Sequence, residues 1–258
     1  MSLLGNLKLK IKRGETPFYR LLRQLTLGFL KSNLPWPGFL KPVLRGLYDL
    51  HFAVIVLYKR ALIYFYREPL FRARCTSVGK TLHLYSDMPY IDGHAEIHIG
   101  DDVTIMGKMN ILSGHVHERP ILKIEDRVIL GIGTDISVNR EVIIEADVMI
   151  ANNCRIADSD GHPREAHLRA QRAPLRARDI RPVRIRRYAW LGTGVQVHKG
   201  VTIGEGAIIG SNSVVISNIP DYAVAMGNPA EVYFHNVGRP KALPVPVPES
   251  TESAGQPI

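Results

Sequence analysis

The chain has 258 residues, 45% of them hydrophobic, a formal charge of +9 and two cysteines, Cys75 and Cys154. That length suits one large domain, or one domain with appendages, with a real core. Two isolated cysteines exclude a disulfide framework and a cysteine metal site, which points to a reducing, cytoplasmic compartment. No secretory signal is visible at the start.

The charge is uneven. Up to residue 74, 14 Lys and Arg stand against 3 Asp and Glu; beyond it, 19 stand against 21. All the excess lies in residues 1–75, where PFYRLLRQLTLGFLK and LYDLHFAVIVLYKRALIYFYREPLFRAR interleave aromatic and aliphatic clusters with basic residues. This reads as a basic, amphipathic helical extension. Its longest apolar run, Leu50 to Tyr58, is half of the roughly 20 residues that a spanning helix needs. Two readings stay open: peripheral association with an anionic membrane surface through residues 1–74, or packing on the protein's own body or a neighbouring subunit. Nucleic-acid binding is set aside, because the apolar content exceeds what tracking phosphates requires.

From Cys75 a beat of six residues begins, faint at Val78 and Leu84. It is clear at Ile99, Ile105 and Ile111, with Ile97, Val103 and Met109 two places earlier. A second coil reads Leu122/Ile124, Val128/Leu130 and Thr134/Ile136; a third reads Val142/Ile144, Val148/Ile150 and Cys154/Ile156. The beat is strictest in residues 183–217. There Ile185, Leu191, Val197, Ile203, Ile209 and Val215 form one file, and Val183, Ala189, Val195, Val201, Ala207 and Ser213 form another. Neither a helix nor an ordinary strand has that period; a solenoid does. Each unit is a short strand and a turn, three units closing a triangular coil, with the aliphatic residue at the corner and the small one flat beneath it. Gly192, Gly204 and Gly210 follow the aliphatic file, as expected of turns with unusual backbone angles.

The beat is interrupted by seven extra residues between Ile111 and Ile124, two between Ile136 and Ile144, and 23 between Ile156 and Ile185. Insertions in a solenoid map to loops on one face and often carry function. The long one, within residues 157–182, is the candidate catalytic loop. The segment from residue 220, ending in PKALPVPVPESTESAGQPI, reads as a closing segment and then an extended or disordered tail.

Residues 76–235 carry DVMIANNCRIADSDGHP, then the loop, then RPVRIRRYAWLGTGVQVHKGVTIGEGAIIGSNSVVISNIPDYAVAMGNPAEV. This resembles the hexapeptide-repeat acyltransferases, in their sugar and polysaccharide O-acetyltransferase branch, by its His-Pro pair, W-[IL]-G turn and closing G-N-P-A segment. The resemblance implies a mainly β fold, a left-handed parallel β-helix over residues 76–219, which is an exception to the usual right-handed crossover. It also implies acetyl-CoA as cosubstrate, no metal, a homotrimer and a sugar or glycan acceptor.

Transfer of an acyl group from a thioester to a hydroxyl needs a base, and histidine titrates near neutrality. By resemblance the base is His162, ahead of Pro163, while His115, His117 and His167 read as solvated loop residues. A base needs an orienting partner. Asp160 ranks first and Asp158 second, although DSDG is also good turn chemistry; Thr134 and Asp135, one coil earlier, are candidate polar residues beside the acceptor. Trp190 would wall the acceptor site, and the N–H of Gly192 or Thr193 would stabilise the oxyanion.

Coenzyme A contacts carried over from the family are Gly192, Thr193, Gly210, Ser211, Asn228 and Pro229. Many relatives carry basic residues where this chain has Ser217 and Glu231, so Lys199 and the loop arginines (164, 169, 172, 176, 178 and 181) become the candidates for neutralising phosphates or gripping an anionic acceptor.

The expected activity is O-acetylation of a sugar in a surface-polysaccharide or lipid-linked glycan precursor, in the cytoplasm or on the inner face of the membrane. The alternatives are N-acetylation of an amino sugar or small amine, a γ-carbonic-anhydrase-like zinc enzyme using His162 and His167, and a non-catalytic scaffold.

Overall fold

A computed structural model of the chain describes residues 3–31 and 37–238. The chain divides into two compact units, Met1–Val56 and Leu57–Ile258. The tail expected to be extended lies outside the described residues from position 239 on.

The expected helical extension is present as α1 (Leu3–Arg13), α2 (Pro17–Lys31) and α3 (Lys41–Leu62), the last crossing the division between the units. Phe18, Leu21, Leu25 and Phe29 of α2 are exposed next to the basic side chains of Arg20 and Arg23. Among the described residues no helix is long and apolar enough to cross a membrane. In the second unit a π-helical turn, Ile63–Arg67, leads into α4 (Glu68–Arg74), and Ile63 and Phe71 are buried in the hydrophobic core. Arg72 fixes this helix by donating to the Gly79 carbonyl (2.9 Å).

Beyond α4 the chain winds as a parallel β-solenoid with three faces, made of a six-stranded, an eight-stranded and a six-stranded sheet. The first face stacks 77–78, 96–99, 121–124, 141–144, 183–185 and 202–203. The second carries 82–84, 103–105, 129–130, 149–150, 190–191 and 208–209, and the third 90–92, 110–113, 135–138, 155–157, 196–197 and 214–215. Each coil is bonded to the next by backbone hydrogen bonds such as Thr104 N–H to Val128 O (2.9 Å). The register joins equivalent repeat positions, for example Ile144 with Ile185 and Ile156 with Val197.

Both files of the repeat point inward. Val183, Ala189, Val195, Val201 and Ala207 are as fully buried as Ile185, Leu191, Val197, Ile203 and Ile209, and the residue between each pair faces outward. The small residue therefore fills the core beside the aliphatic one and does not lie flat beneath it. Burying each large aliphatic side chain contributes about 1.5–3 kcal/mol, so the six-residue beat is the energetic signature of a continuous core.

The turns follow a second rule that differs from the expectation. At nine of these corners the left-handed residue is the third after the aliphatic position: Asp102, Arg127, Asp147, Tyr188 and Gly206 between the first and second faces, and Gly133, Asn153, Gly194 and Asn212 between the second and third. Gly192 is not left-handed. It is glycine because a Cβ there would lie 2.7 Å from the backbone nitrogen of Ser211 in the next coil. Close approach of neighbouring coils, and not φ, sets that position.

Candidate active site

All three interruptions of the beat, after the strands ending at Ser113, Val138 and Ala157, fall at the corner where the third face passes to the first. This loop corner gathers His94, His115, His117, Asn139, Asp158, Asp160 and His162. The rings of His94 and His115 stack with centroids 5.7 Å apart, and His94 Nε2 lies 3.0 Å from the His117 carbonyl. His117 is not a solvated residue: its Nε2 is buried and lacks a hydrogen-bond partner among the described residues.

The long loop closes on itself. Arg181 N–H donates to the Asp158 carbonyl (2.9 Å), Gly200 N–H donates to the Arg181 carbonyl (3.0 Å), and a short helix, α5 (Ala166–Ala170), forms between. Lys199 sits beneath with a 5%-exposed side chain, its Nζ donating to Asp160 Oδ2 (2.6 Å) and to the Asp179 carbonyl (2.8 Å). Arg176 braces the same span, from Asp179 (2.8 Å) to Glu165 (2.6 Å), and Arg169 donates to the carbonyls of Pro163 and Arg164. Four cations counted as phosphate ligands, Lys199, Arg164, Arg169 and Arg176, are thus committed to the loop itself. Arg172, Arg178 and Arg181 remain exposed.

His162 stands exposed on this pinned loop, and its ring makes no hydrogen bond to another described residue. Neither aspartate reaches it. Asp158 is fully buried and accepts from the backbone N–H groups of Asn139, Arg140 (2.6 Å) and Glu141 (3.0 Å) and from Asn139 Nδ2 (3.1 Å). Its role is to close the neighbouring turn, which corrects its assignment as an orienting partner. Burial raises its pKa, more than these donors lower it. Burial also acts to raise the pKa of Asp160, but the hydrogen bonds from Lys199 and Arg164 outweigh it and hold the carboxyl below its ordinary value. Asp160 therefore anchors the loop as a carboxylate and has no hydrogen bond to His162.

Beside the residues that lead into His162 lies a cavity of about 190 Å³ on the third face, lined among others by Arg155, Ser159, Asp160, Gln196 and His198. Arg155, Gln196 and His198 escaped the sequence reading, although the repeat carries their signal: each stands next to an inner-file residue and so must face outward. Asp135 belongs to the same outward ladder, one coil before Arg155, and accepts from Asn110 Nδ2. Thr134 does not. It is fully buried, its hydroxyl donating to the Gly131 carbonyl (2.8 Å), so its assignment beside the acceptor is corrected.

The remaining candidates sit elsewhere on the coil. Gly192, Thr193, Gly210 and Ser211 line the corner between the second and third faces, and Asn228 and Pro229 turn the hairpin between 224–227 and 230–234 in the coil above. This glycine corner is a ridge, exposed at Thr193, Ser211, Asn228 and Pro229. Gly192 N–H is already spent on the Ile209 carbonyl (2.8 Å), which removes it as an oxyanion donor; Thr193 N–H has no acceptor among the described residues. Trp190 is half-exposed on the second face, where it lines a second cavity of about 400 Å³ with Tyr188, Ile208 and Tyr222. In a triangular coil the second face lies opposite the loop corner, so one chain holds His162 and Trp190 apart.

With this geometry in view, the family model described as bacterial transferase hexapeptide (six repeats) matches residues 182–217, where both inner files are unbroken. Residues 182–217 thus carry the hexapeptide repeat of bacterial transferases. It is similar to a probable acetyltransferase of Mycobacterium tuberculosis, 33% identical over 156 residues, which cover 60% of this chain and 47% of that protein. It is also similar to the polysialic acid O-acetyltransferase of Escherichia coli, 39% identical over 118 residues, 43% of this chain and 37% of the relative. The chain thus matches less than half the length of these curated relatives. Among solved structures, the N-acyltransferase AntD of Bacillus cereus, bound to dTDP-4-amino-4,6-dideoxyglucose and coenzyme A, superimposes with a TM-score of 0.53. At 19% identity over 64% of this chain and 87% of AntD, that likeness speaks for the hexapeptide-repeat fold alone. Among the described residues no group of three or more His, Cys, Asp and Glu is placed to hold a metal ion.

Proposed function

We propose that the protein is an acetyl-CoA-dependent O-acetyltransferase acting on a sugar hydroxyl, with His162 as general base. The observation that carries this reading is the setting of His162, an exposed imidazole with no hydrogen-bond partner among the described residues, held on a loop that Lys199 and Arg176 fix at both ends. The names of the two curated relatives support acetyl transfer. The polysialic acid enzyme supports a hydroxyl, and a glycan, as acceptor.

The chemistry is a balanced acyl transfer. His162 takes the acceptor hydroxyl proton as the oxygen attacks the thioester carbonyl, forming the C–O bond. The oxyanion that develops is met by a preorganised N–H, for which Thr193 is the candidate. Collapse breaks the C–S bond, and the thiolate leaves with the proton held by the imidazolium. Because His162 and the ridge of Thr193, Ser211, Asn228 and Pro229 lie at different corners, the site is completed in a homotrimer, the loop corner of one subunit facing the second face and glycine corner of its neighbour. Trp190 then walls the acceptor, and coenzyme A lies along the ridge.

The acceptor fits a surface-polysaccharide or lipid-linked glycan precursor on the inner face of a membrane. The basic N-terminal helices favour that setting: the exposed Phe18, Leu21, Leu25 and Phe29 of α2 beside Arg20 and Arg23 suit an anionic interface. Sedimentation of the full chain with phosphatidylglycerol vesicles, and not with neutral ones, is expected.

The test of the activity is thiol release from acetyl-CoA in the presence of hydroxyl sugars and of their amino counterparts. Release dependent on a hydroxyl sugar and lost in His162→Ala is expected. Release with amino sugars alone points to N-acetylation, and release unchanged in His162→Ala contradicts the reading.

A further inference from the structure

We propose that the cavity beside the loop corner is an anion subsite, in which Arg155 binds a carboxylate or phosphate carried by the acceptor sugar, with Gln196, His198 and the Ser159 hydroxyl as neutral partners. This deepens, and rests on, the reading of His162 as the base that deprotonates that sugar.

The argument begins with charge. Arg155 stands on the third face in register with Asp135 in the preceding coil and Gln196 in the next, and all three face outward. Its guanidinium has no hydrogen bond or ion pair to another described residue. Three other outward arginines of the solenoid are matched: Arg127 to Asp147 (2.6 Å), Arg184 to Glu145 (2.9 Å) and Arg186 to Asp221 (2.7 Å). The one anion lining the cavity, Asp160, is already shared by Lys199 (2.6 Å) and Arg164 (3.1 Å). The cavity therefore carries an excess of positive charge with a fork of donors aimed at no acceptor, the geometry that suits bidentate capture of a carboxylate or phosphate.

The neutral partners fit the same ligand. Gln196 and His198 are two residues apart in one coil, so both project to the same side as Arg155. Ser159 is 7% exposed, and its Oγ accepts from Asn139 Nδ2 (2.8 Å) and Gly161 N–H (3.3 Å), which leaves its own proton for a ligand. The volume of about 190 Å³ falls below the roughly 300–1,000 Å³ of pockets that enclose a whole drug-sized ligand. It suits a charged substituent with part of one ring, and is small for a nucleotide.

The test uses the full chain and needs no turnover, so it stands apart from the test of His162. The imidazole signals of His198, assigned with His198→Gln, are followed by NMR during titration with methyl glucuronide, glucose 6-phosphate, methyl glucoside, coenzyme A and dephospho-coenzyme A. The two anionic sugars are expected to shift them and the neutral glucoside is not. Arg155→Gln should weaken the anionic sugars about tenfold, the equivalent of one charge-assisted hydrogen bond, with Arg155→Lys in between and unfolding temperatures unchanged. Equal shifts from the neutral sugar, or unchanged affinity in Arg155→Gln, overturn the proposal. So does a shift produced by coenzyme A that dephospho-coenzyme A fails to produce, which would assign the cavity to the donor's phosphate.

Discussion

The loop corner and the glycine corner are made from the same repeat, yet they solve opposite problems. At the glycine corner neighbouring coils approach until a Cβ on Gly192 or Gly210 would lie 2.7–2.8 Å from the next coil; nothing projects, and a flat ridge results. At the loop corner the repeat is broken three times, and the excess chain is held by buried polar groups, Asp158 beneath one turn and Lys199 beneath the long loop. On the flat faces side chains leave the coil only at the fixed outward positions of the repeat, whereas chain that projects beyond the coil must be pinned by other means.

Perturbing the two corners should therefore have different consequences. The largest effect is expected from His162→Ala at the loop corner: acetyl transfer falls by about 10²–10⁴-fold, the usual contribution of a positioned base, while the unfolding temperature stays unchanged because the side chain is exposed. Loss of activity together with loss of fold would break the comparison. At the glycine corner the signs reverse. Gly192→Ala forces a methyl against backbone and should cost about 1–3 kcal/mol, read as a lower midpoint in urea. Gly161→Ala at the loop corner meets no atom within 4 Å but keeps a φ of +78°; it should cost about 1 kcal/mol, from backbone alone.

Lys199→Met sharpens the role of the pin. Leaving the Asp179 carbonyl without its donor should cost about 1–3 kcal/mol, and faster amide exchange confined to residues 160–181 is expected. Uniformly faster exchange would mean that Lys199 supports the coil and not the loop.

The smallest effect concerns pH. Asp160 has a lowered pKa in the folded chain, so its pairing contributes stability above the ordinary carboxylate pKa of about 3.9. That contribution is lost as pH falls through the lower folded value. Protection factors in the loop, which remove the intrinsic pH dependence of amide exchange, should thus stay constant from neutrality down to about pH 5 and fall only in stronger acid.

These differences also explain what could be read from the sequence. The solenoid was legible in the inner files because core packing imposes a strict six-residue beat on Val183–Val215. The number of extra residues at each break was legible as well. Thr134 carried its own correction, since it stands in the same file as Cys154 and Ser213 and so had to point inward. Asp158 was ranked as an orienting partner, with its own DSDG turn as the plainer reading; the turn it closes, at Asn139–Glu141, belongs to the coil before it, because spacing along the chain does not report which coil a side chain reaches. Lys199 gave no signal, because a lysine before glycine in a turn looks the same whether it points to water or beneath a loop. The glycine after each aliphatic residue was legible as necessary, while its reason, close approach and not φ, depends on the neighbouring coil.

The central claim is that the loop corner of one subunit works with the second face of another. The most direct test is subunit mixing: His162→Ala and Trp190→Ala proteins, each inactive alone, are unfolded together, refolded at equal ratio and assayed for acetyl transfer. If neighbouring subunits share a site, head-to-tail interfaces that join an intact His162 to an intact Trp190 form at random and restore about a quarter of wild-type activity. A mixture no more active than either variant alone would contradict the account.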